Sequence, residues 1–173
     1  MTILQEIDAI PELRFVVLCS CLDPDSETQA LIQKMGVTSL DWDKVYETAR
    51  EQRTLPLVSR NIRSIIPAKT ALPIAQKLKS FSFQNTTRNL FALNLLLNIV
   101  RIFRENNISV MPFKGLLTAE DIYGDIGLRS FSDLDLLVKK NQALKASNLL
   151  KNHGFLPEIA LDQRQAEKYI QVE

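Results

Sequence analysis

The sequence contains a single histidine, His153, and only two cysteines, Cys19 and Cys21. One histidine excludes sites that are built on several imidazoles. A Cys-x-Cys pair without a second pair cannot supply the four ligands of a structural zinc site. We therefore expect both cysteines to be small apolar residues inside a helix over 12–22. The histidine is expected to cap a helix end before Gly154.

A charge excess of one sign and long apolar runs are also missing. The formal net charge is +1, from 21 basic and 20 acidic residues, so no global field favours nucleic acid or an acidic membrane. No stretch approaches the roughly 18 uninterrupted apolar residues of a membrane-spanning helix. Residues 1–6 lack the basic start of a signal peptide. These absences predict a cytoplasmic protein without a membrane partner, and they give no indication of a nucleic-acid partner without excluding one.

The first hundred residues have the periodicity of helices. Residues 41–50 follow Ser39 as a candidate N-cap, and 55–65 carry a proline in the first turn. A longer apolar pattern runs over 73–105 and predicts one helix about 50 Å long at about 1.5 Å per residue. The polar residues 84–89 inside it predict a kink or a face turned to water.

Residues 90–103 of that helix are apolar almost all round. Such a segment is expected to be buried against several partners. Two interpretations stay open, which are a central core helix and an interface through which two copies of the chain form a homo-oligomer.

Short strands appear only after residue 106. The pattern predicts strands over 108–113 and 134–139, each followed by a helix, the first over 115–123 and the second over 141–152 with Asn141 as its cap.

Two carboxylates, Asp133 and Asp135, stand two residues apart where the second strand begins. On a strand, this spacing places both on one face. Neighbouring carboxylates repel each other unless a cation lies between them. Mg²⁺, or Mn²⁺ in its place, binds one or two carboxylates together with substrate phosphates. The alternative is a cap or turn role for Asp133 and a solvated strand edge for Asp135.

Lys114 and Gly115 follow the first strand, where a glycine lets the backbone approach a phosphate. The alternative for the lysine is a solvated side chain. The guanidinium of Arg129 suits bidentate contact with phosphate oxygens, and a salt bridge to Asp125 or to the first aspartate is its alternative. With Ser132, these residues form the candidate nucleotide-binding set.

The order of these motifs resembles the uncharacterised nucleotidyltransferase family of the polymerase-beta-like superfamily. The resemblance covers about residues 107–156 and rests on Lys114-Gly115, Tyr123-Gly124, Arg129 and the run 132–138. It implies a two-metal site on a small mixed sheet flanked by helices. There, a nucleoside monophosphate would pass from a nucleoside triphosphate to an acceptor that the sequence does not identify.

The resemblance also implies a third carboxylate, from a strand later than the one that carries Asp133 and Asp135. Glu158 and Asp162 are candidates by charge alone. The Gly-Ser usual in the family's first turn is Lys114-Gly115 here, with no serine after the glycine.

These features together predict an α+β protein. It would consist of a helical region over 1–106 and a partial nucleotidyltransferase-like core over 107–173, truncated at its C-terminus. The first functional hypothesis is a Mg²⁺-dependent nucleotidyltransferase that is inactive as this truncated chain. The alternative is a non-catalytic helical interaction module that keeps a remnant of the fold. A third carboxylate within reach of the other two would favour the enzyme.

Overall fold

In the computed structural model the chain is a mainly helical α+β protein, as the sequence predicts. The structure describes residues 7, 9–68, 70, 72–157 and 165. Its helices and strands, in chain order, are α1 (Pro11–Cys19), α2 (Ser26–Gly36), α3 (Trp42–Glu51), α4 (Leu55–Ile65), α5 (Leu72–Glu105), β1 (Val110–Phe113), α6 (Gly115–Tyr123), β2 (Asp135–Val138) and α7 (Ala143–Asn152). Single 3₁₀ turns lie at Ile126–Leu128 and Lys140–Gln142.

Helices α1 to α4 and the first part of α5 surround one apolar core. Its fully buried members include Phe15, Val45, Ile62 and Leu78. The start of α3 differs in detail from the prediction, because Asp41 and not Ser39 is its N-cap. The Asp41 side chain accepts hydrogen bonds from the first-turn amides of the helix, which a residue two positions earlier does not reach.

Helix α1 ends at Cys19, so the prediction of one helix holding both cysteines was wrong. The buried side-chain amide of Asn61 on α4 donates to the carbonyls of Cys19 and Cys21, at 2.9 and 2.8 Å. These bonds hold the chain in a turn after the helix. Burial raises the pKa of the Cys19 thiol to about 12, whereas Cys21 is exposed.

Helix α5 is a single helix of 34 residues that contributes side chains to this core and to a second one. Its last turns pack with Ile108 and Ala146 in a second core, through Ile99 and Phe103. The opposite side is exposed at its large apolar residues Leu90, Phe91 and Leu97. The expected burial all round 90–103 was therefore wrong for this chain, since β1, β2 and α7 cover one side of the helix.

The sheet of the described residues has two strands, which pair antiparallel. Phe113 lies opposite Asp135, and Val110 lies opposite Val138. Both strands are shorter than the predicted spans. The pairing brings the end of β1, where α6 begins, next to the start of β2.

Helix α7 begins later than predicted and ends as predicted. A 3₁₀ turn occupies Lys140–Gln142, so Asn141 lies inside that turn and does not cap the helix. At the other end, His153 is the C-cap residue, and its Nδ1 lies 2.9 Å from the Leu149 carbonyl oxygen. Across the described part of the chain, no helix is both long and apolar enough to cross a bilayer.

Candidate active site

The turn between β1 and α6 has an unusual backbone. Lys114 adopts φ 59° and ψ −152°, and Gly115 follows with φ 47°. The lysine values fall near a region that is populated almost only by glycine, at a cost of order 1–3 kcal/mol. The Lys114 ammonium lies 4.9 Å from the centre of the Phe113 ring. Such strain in a non-glycine residue is typical of functional turns.

The N-terminus of α6 is open at this turn. No side chain caps the helix, so its first backbone amides have no side-chain acceptor. Amides at a helix N-terminus, together with the helix dipole, favour an anion. The turn can therefore contact phosphate oxygens through its backbone, without the serine that the family's pattern has after the glycine.

The segment before β2 packs directly on the turn. A Cβ atom on Gly115 would lie 3.7 Å from the backbone oxygen of Asp133 and 3.8 Å from the ring of Phe131. Asp135 is the first residue of β2 and pairs with the last residue of β1. The backbones of both predicted aspartates are thus next to the turn.

Only one of the two carboxylates lies on the strand. Asp133 is exposed and precedes β2, and its Oδ1 lies 3.3 Å from the Ser132 hydroxyl. The alternation of side chains along a strand applies to Asp135 alone, so a shared face of the pair stays a prediction.

A small cleft unites four of the predicted site residues. Lys114, Gly115, Asp133 and Asp135 line it, together with apolar residues of β1, α5 and α6. Its volume is only about 10 Å³. The cleft is therefore too small to enclose a nucleotide.

Arg129 is placed differently from the cleft residues. Among the residues that the structure describes, it forms no ion pair with Asp125 or Asp133, so the salt-bridge alternative does not occur. Asp125 instead accepts a hydrogen bond of 2.7 Å from the Gly127 amide. The Arg129 Nε is buried without a hydrogen-bond partner in the structure, so this side chain retains an unused donor.

Comparison with known proteins identifies the family of the chain. A family model described as an uncharacterised nucleotidyltransferase matches residues 38–172. The chain belongs to this family. No curated protein and no solved structure shows a significant match. The family match begins before α3, well ahead of the 107–156 suggested by the motifs, so most of the helical region belongs to the family unit as well.

Two asparagines of α5 hold the loop that leads to the carboxylates. Asn85 Nδ2 donates to the carbonyls of Gly127 and Arg129, at 2.9 and 3.2 Å. Asn89 Nδ2 donates to the carbonyls of Ile126 and Arg129. Both asparagines are buried. The prediction that 84–89 form a kink or a wet face was wrong at these two positions, because the buried amides donate to the carbonyls of the half-buried loop.

The sequence offered a weak signal for this contact. Asn85 and Asn89 are four residues apart, which places them on one helix face, inside a long apolar pattern. Two amides on one face of such a helix favour a buried polar network. The loop that they bind, forty residues later, could not be identified from the sequence.

The loop approaches α5 closely at Gly127. A Cβ atom there would lie 2.7 Å from the Thr86 Oγ1 and 3.1 Å from the Asp125 Oδ1. A side chain there would require the Thr86 or Asp125 side chain, or the loop itself, to shift. Glycine at this position therefore allows the close approach of the loop to the helix.

Binding of a divalent cation by Asp133 and Asp135 stays a prediction. Within the part of the chain that the structure describes, no group of three or more histidine, cysteine, aspartate or glutamate side chains could hold a metal. Two carboxylates with substrate phosphates are a common donor set for Mg²⁺. The candidates for a third ligand, Glu158 and Asp162, lie outside the described residues.

Proposed function

We propose that this chain is a Mg²⁺-dependent nucleotidyltransferase that moves a nucleoside monophosphate from a nucleoside triphosphate to an acceptor. Membership of the nucleotidyltransferase family supports the reaction class. The observation that carries the proposal is the single cleft lined by the Lys114-Gly115 turn together with Asp133 and Asp135.

Each residue has a role in this proposal. The amides of the Gly115 turn bind phosphate oxygens, and the Lys114 ammonium adds a positive charge beside them. Asp133 and Asp135 are the ligands for Mg²⁺, or for Mn²⁺ in its place. When bound, the cation would neutralise negative charge on the phosphate oxygens. Ser132 and Arg129 serve as further phosphate contacts.

The proposed reaction is a substitution at the α-phosphorus. An acceptor hydroxyl oxygen bonds to that phosphorus, and the bond to the oxygen that bridges to the β-phosphate breaks. Pyrophosphate leaves, and the hydroxyl proton passes to solvent. The turn and its neighbouring side chains contribute by orienting the phosphate chain, which removes much of the entropic barrier to attack.

The donor set suggests slow turnover. Two-metal nucleotidyl transfer places two cations about 3.5–4 Å apart, and two carboxylates are few ligands for both. We therefore propose that the chain binds Mg²⁺-nucleotide weakly and turns over slowly, unless Glu158, Asp162 or another chain supplies a further carboxylate.

Three finer predictions accompany the proposal. The acceptor is a hydroxyl-bearing molecule of unidentified class, and the protein is expected in the cytoplasm. The exposed apolar residues Leu90, Phe91 and Leu97 support self-association through 90–103.

The proposal is tested by transfer from an α-labelled nucleoside triphosphate with Mg²⁺. Acceptor candidates are the protein itself, RNA ends and small hydroxyl compounds. We expect Asp133→Asn and Asp135→Asn to abolish the labelled product, whereas Asp121→Asn, an exposed aspartate later on α6, retains it. Undiminished labelling in both site variants would contradict the proposal.

A further inference from the structure

A second pocket lies beside the candidate active site and is lined by three separate parts of the chain. Arg53 comes from the end of α3, Arg88 from α5, and Ser130, Phe131 and Ser132 from the segment before β2. Its volume is about 190 Å³, far larger than the cleft at the turn. Its two guanidinium groups are donors that suit an anion, whereas the Ser130 and Ser132 hydroxyls already donate to Asn85 Oδ1 and Asp133 Oδ1.

The positive charges of this pocket are not neutralised by the protein. No carboxylate of the described residues is among its lining side chains. In that same part of the chain, Arg53 makes no side-chain hydrogen bond or ion pair. Arg88 donates one hydrogen bond of 3.0 Å, to the neutral Oδ1 of Asn85. Both guanidinium groups therefore have free donors.

The backbone at Arg53 is in a left-handed conformation. Arg53 follows the C-cap residue of α3 and has φ 57°. This position after a helix favours glycine, and a residue with a Cβ costs about 1 kcal/mol or more there.

The pocket is adjacent to the proposed site of chemistry. Phe131 lines the pocket and also lies 3.8 Å from the position of a Cβ on Gly115. Ser132 lines it and is within 3.3 Å of Asp133 Oδ1. An anion held here would be one side chain away from both the turn and the carboxylates.

We propose that Arg53 and Arg88, in the pocket that Ser130 and Ser132 also line, form a second phosphate subsite that binds a phosphate group of a substrate. This inference rests on the proposed function for its choice of anion. The phosphate belongs either to the triphosphate tail of the nucleotide or to a phosphorylated acceptor, and both present the same oxygens to the two guanidinium groups.

The test is calorimetric titration of the 173-residue chain with inorganic tripolyphosphate at low ionic strength and without divalent cations. We expect the wild type to bind, and Arg53→Gly and Arg88→Gln each to weaken binding about tenfold, the loss typical of one charge-assisted contact. Arg101→Gln, an exposed arginine on α5, is the matched control and retains the wild-type affinity.

Arg53→Gly separates binding from folding. Glycine suits the left-handed backbone, so the variant is expected to keep or raise the melting temperature while it loses affinity. No tripolyphosphate binding by the wild type, or equal loss in Arg101→Gln, would overturn the subsite.

Two further arms identify the phosphate and separate the two proposals. If Mg²⁺-ATP displaces tripolyphosphate, the pocket binds the triphosphate tail of the nucleotide. If tripolyphosphate stays bound, the pocket binds the phosphate of the acceptor. Asp121→Asn, at an exposed aspartate on α6, is expected to leave metal-free tripolyphosphate binding intact. A chain that binds tripolyphosphate through Arg53 but transfers no nucleotide would retain the subsite and contradict the proposed function.

Discussion

Asn89 on α5 donates a hydrogen bond of 2.8 Å to the backbone carbonyl of Arg129, forty residues further along the chain. With Asn85, it fixes the loop that precedes Asp133 and Asp135. The candidate site is therefore attached to the long helix by two buried amides. The helical region is thus joined to the later part of the chain in two ways, by the continuous helix α5 and by these hydrogen bonds to the loop.

Asn89→Ala is expected to destabilise the chain by about 1–3 kcal/mol, because it removes the side-chain donor to the Ile126 carbonyl and one of the two donors to the Arg129 carbonyl. Urea denaturation would measure the change. Asn98→Ala provides the control, since Asn98 is exposed on the same helix and bonds only to the Asn94 side chain, so its change should stay within about 0.5 kcal/mol. Equal losses in both variants would mean that the loop contacts contribute no specific stability.

Gly127→Ala is expected to destabilise the fold through a clash with the Thr86 hydroxyl. Overpacking of this kind costs about 1–3 kcal/mol. Thr86→Ala in the same chain removes the clashing atom and should restore part of the loss, which a double-mutant cycle by urea denaturation measures. Additive effects of the two changes would show that the helix and the loop are not in contact at this point.

The sequence predicted the helical part of the fold well because periodicity is a local property. The apolar spacing of α5 and the prolines of the first turns mark elements that are stabilised by their own sequence. The residues at which helices begin and end were harder to predict. Helix α1 stops at Cys19 because Asn61, on another helix, binds the carbonyls that follow. Such a long-range cap leaves no local signal.

The candidate site likewise has residues that local sequence predicts and residues that it does not. The Lys114-Gly115 turn and the two aspartates could be found because they are short motifs with a mechanism. The contributions of Asn85, Asn89 and Arg53 depend on which segments meet in space. From local sequence alone, a polar residue inside an apolar helix is predicted to face water. The hydrogen-bond partner of Asn89 lies forty residues away and gives no local signal.

The stability of the first core should depend on the charge of Glu12. The hydrogen bond and ion pair to Lys44, with N–O distance 3.0 Å, lower the pKa of the Glu12 carboxyl against the opposing effect of burial. A lowered pKa means that this contribution to stability is complete above the ordinary carboxyl pKa. It is lost as the pH falls through the folded-state value.

Glu12→Gln should accordingly lower the melting temperature at neutral pH. The difference from the wild type is expected to shrink as the pH falls below about 4.5, the ordinary range of glutamate. Thermal denaturation from pH 7 to pH 3 would show it. A difference that is constant over this range would contradict a charged role for Glu12.

Cation-dependent nucleotide binding tests the account most directly. ATP is titrated into the chain by calorimetry, with and without Mg²⁺, in the wild type, in Asp133→Asn and Asp135→Asn, and in Asp121→Asn as the control. We predict that Mg²⁺ strengthens ATP binding in the wild type and in the control, and that this gain disappears in both site variants. An equal gain in all four proteins would show that Asp133 and Asp135 do not hold the cation.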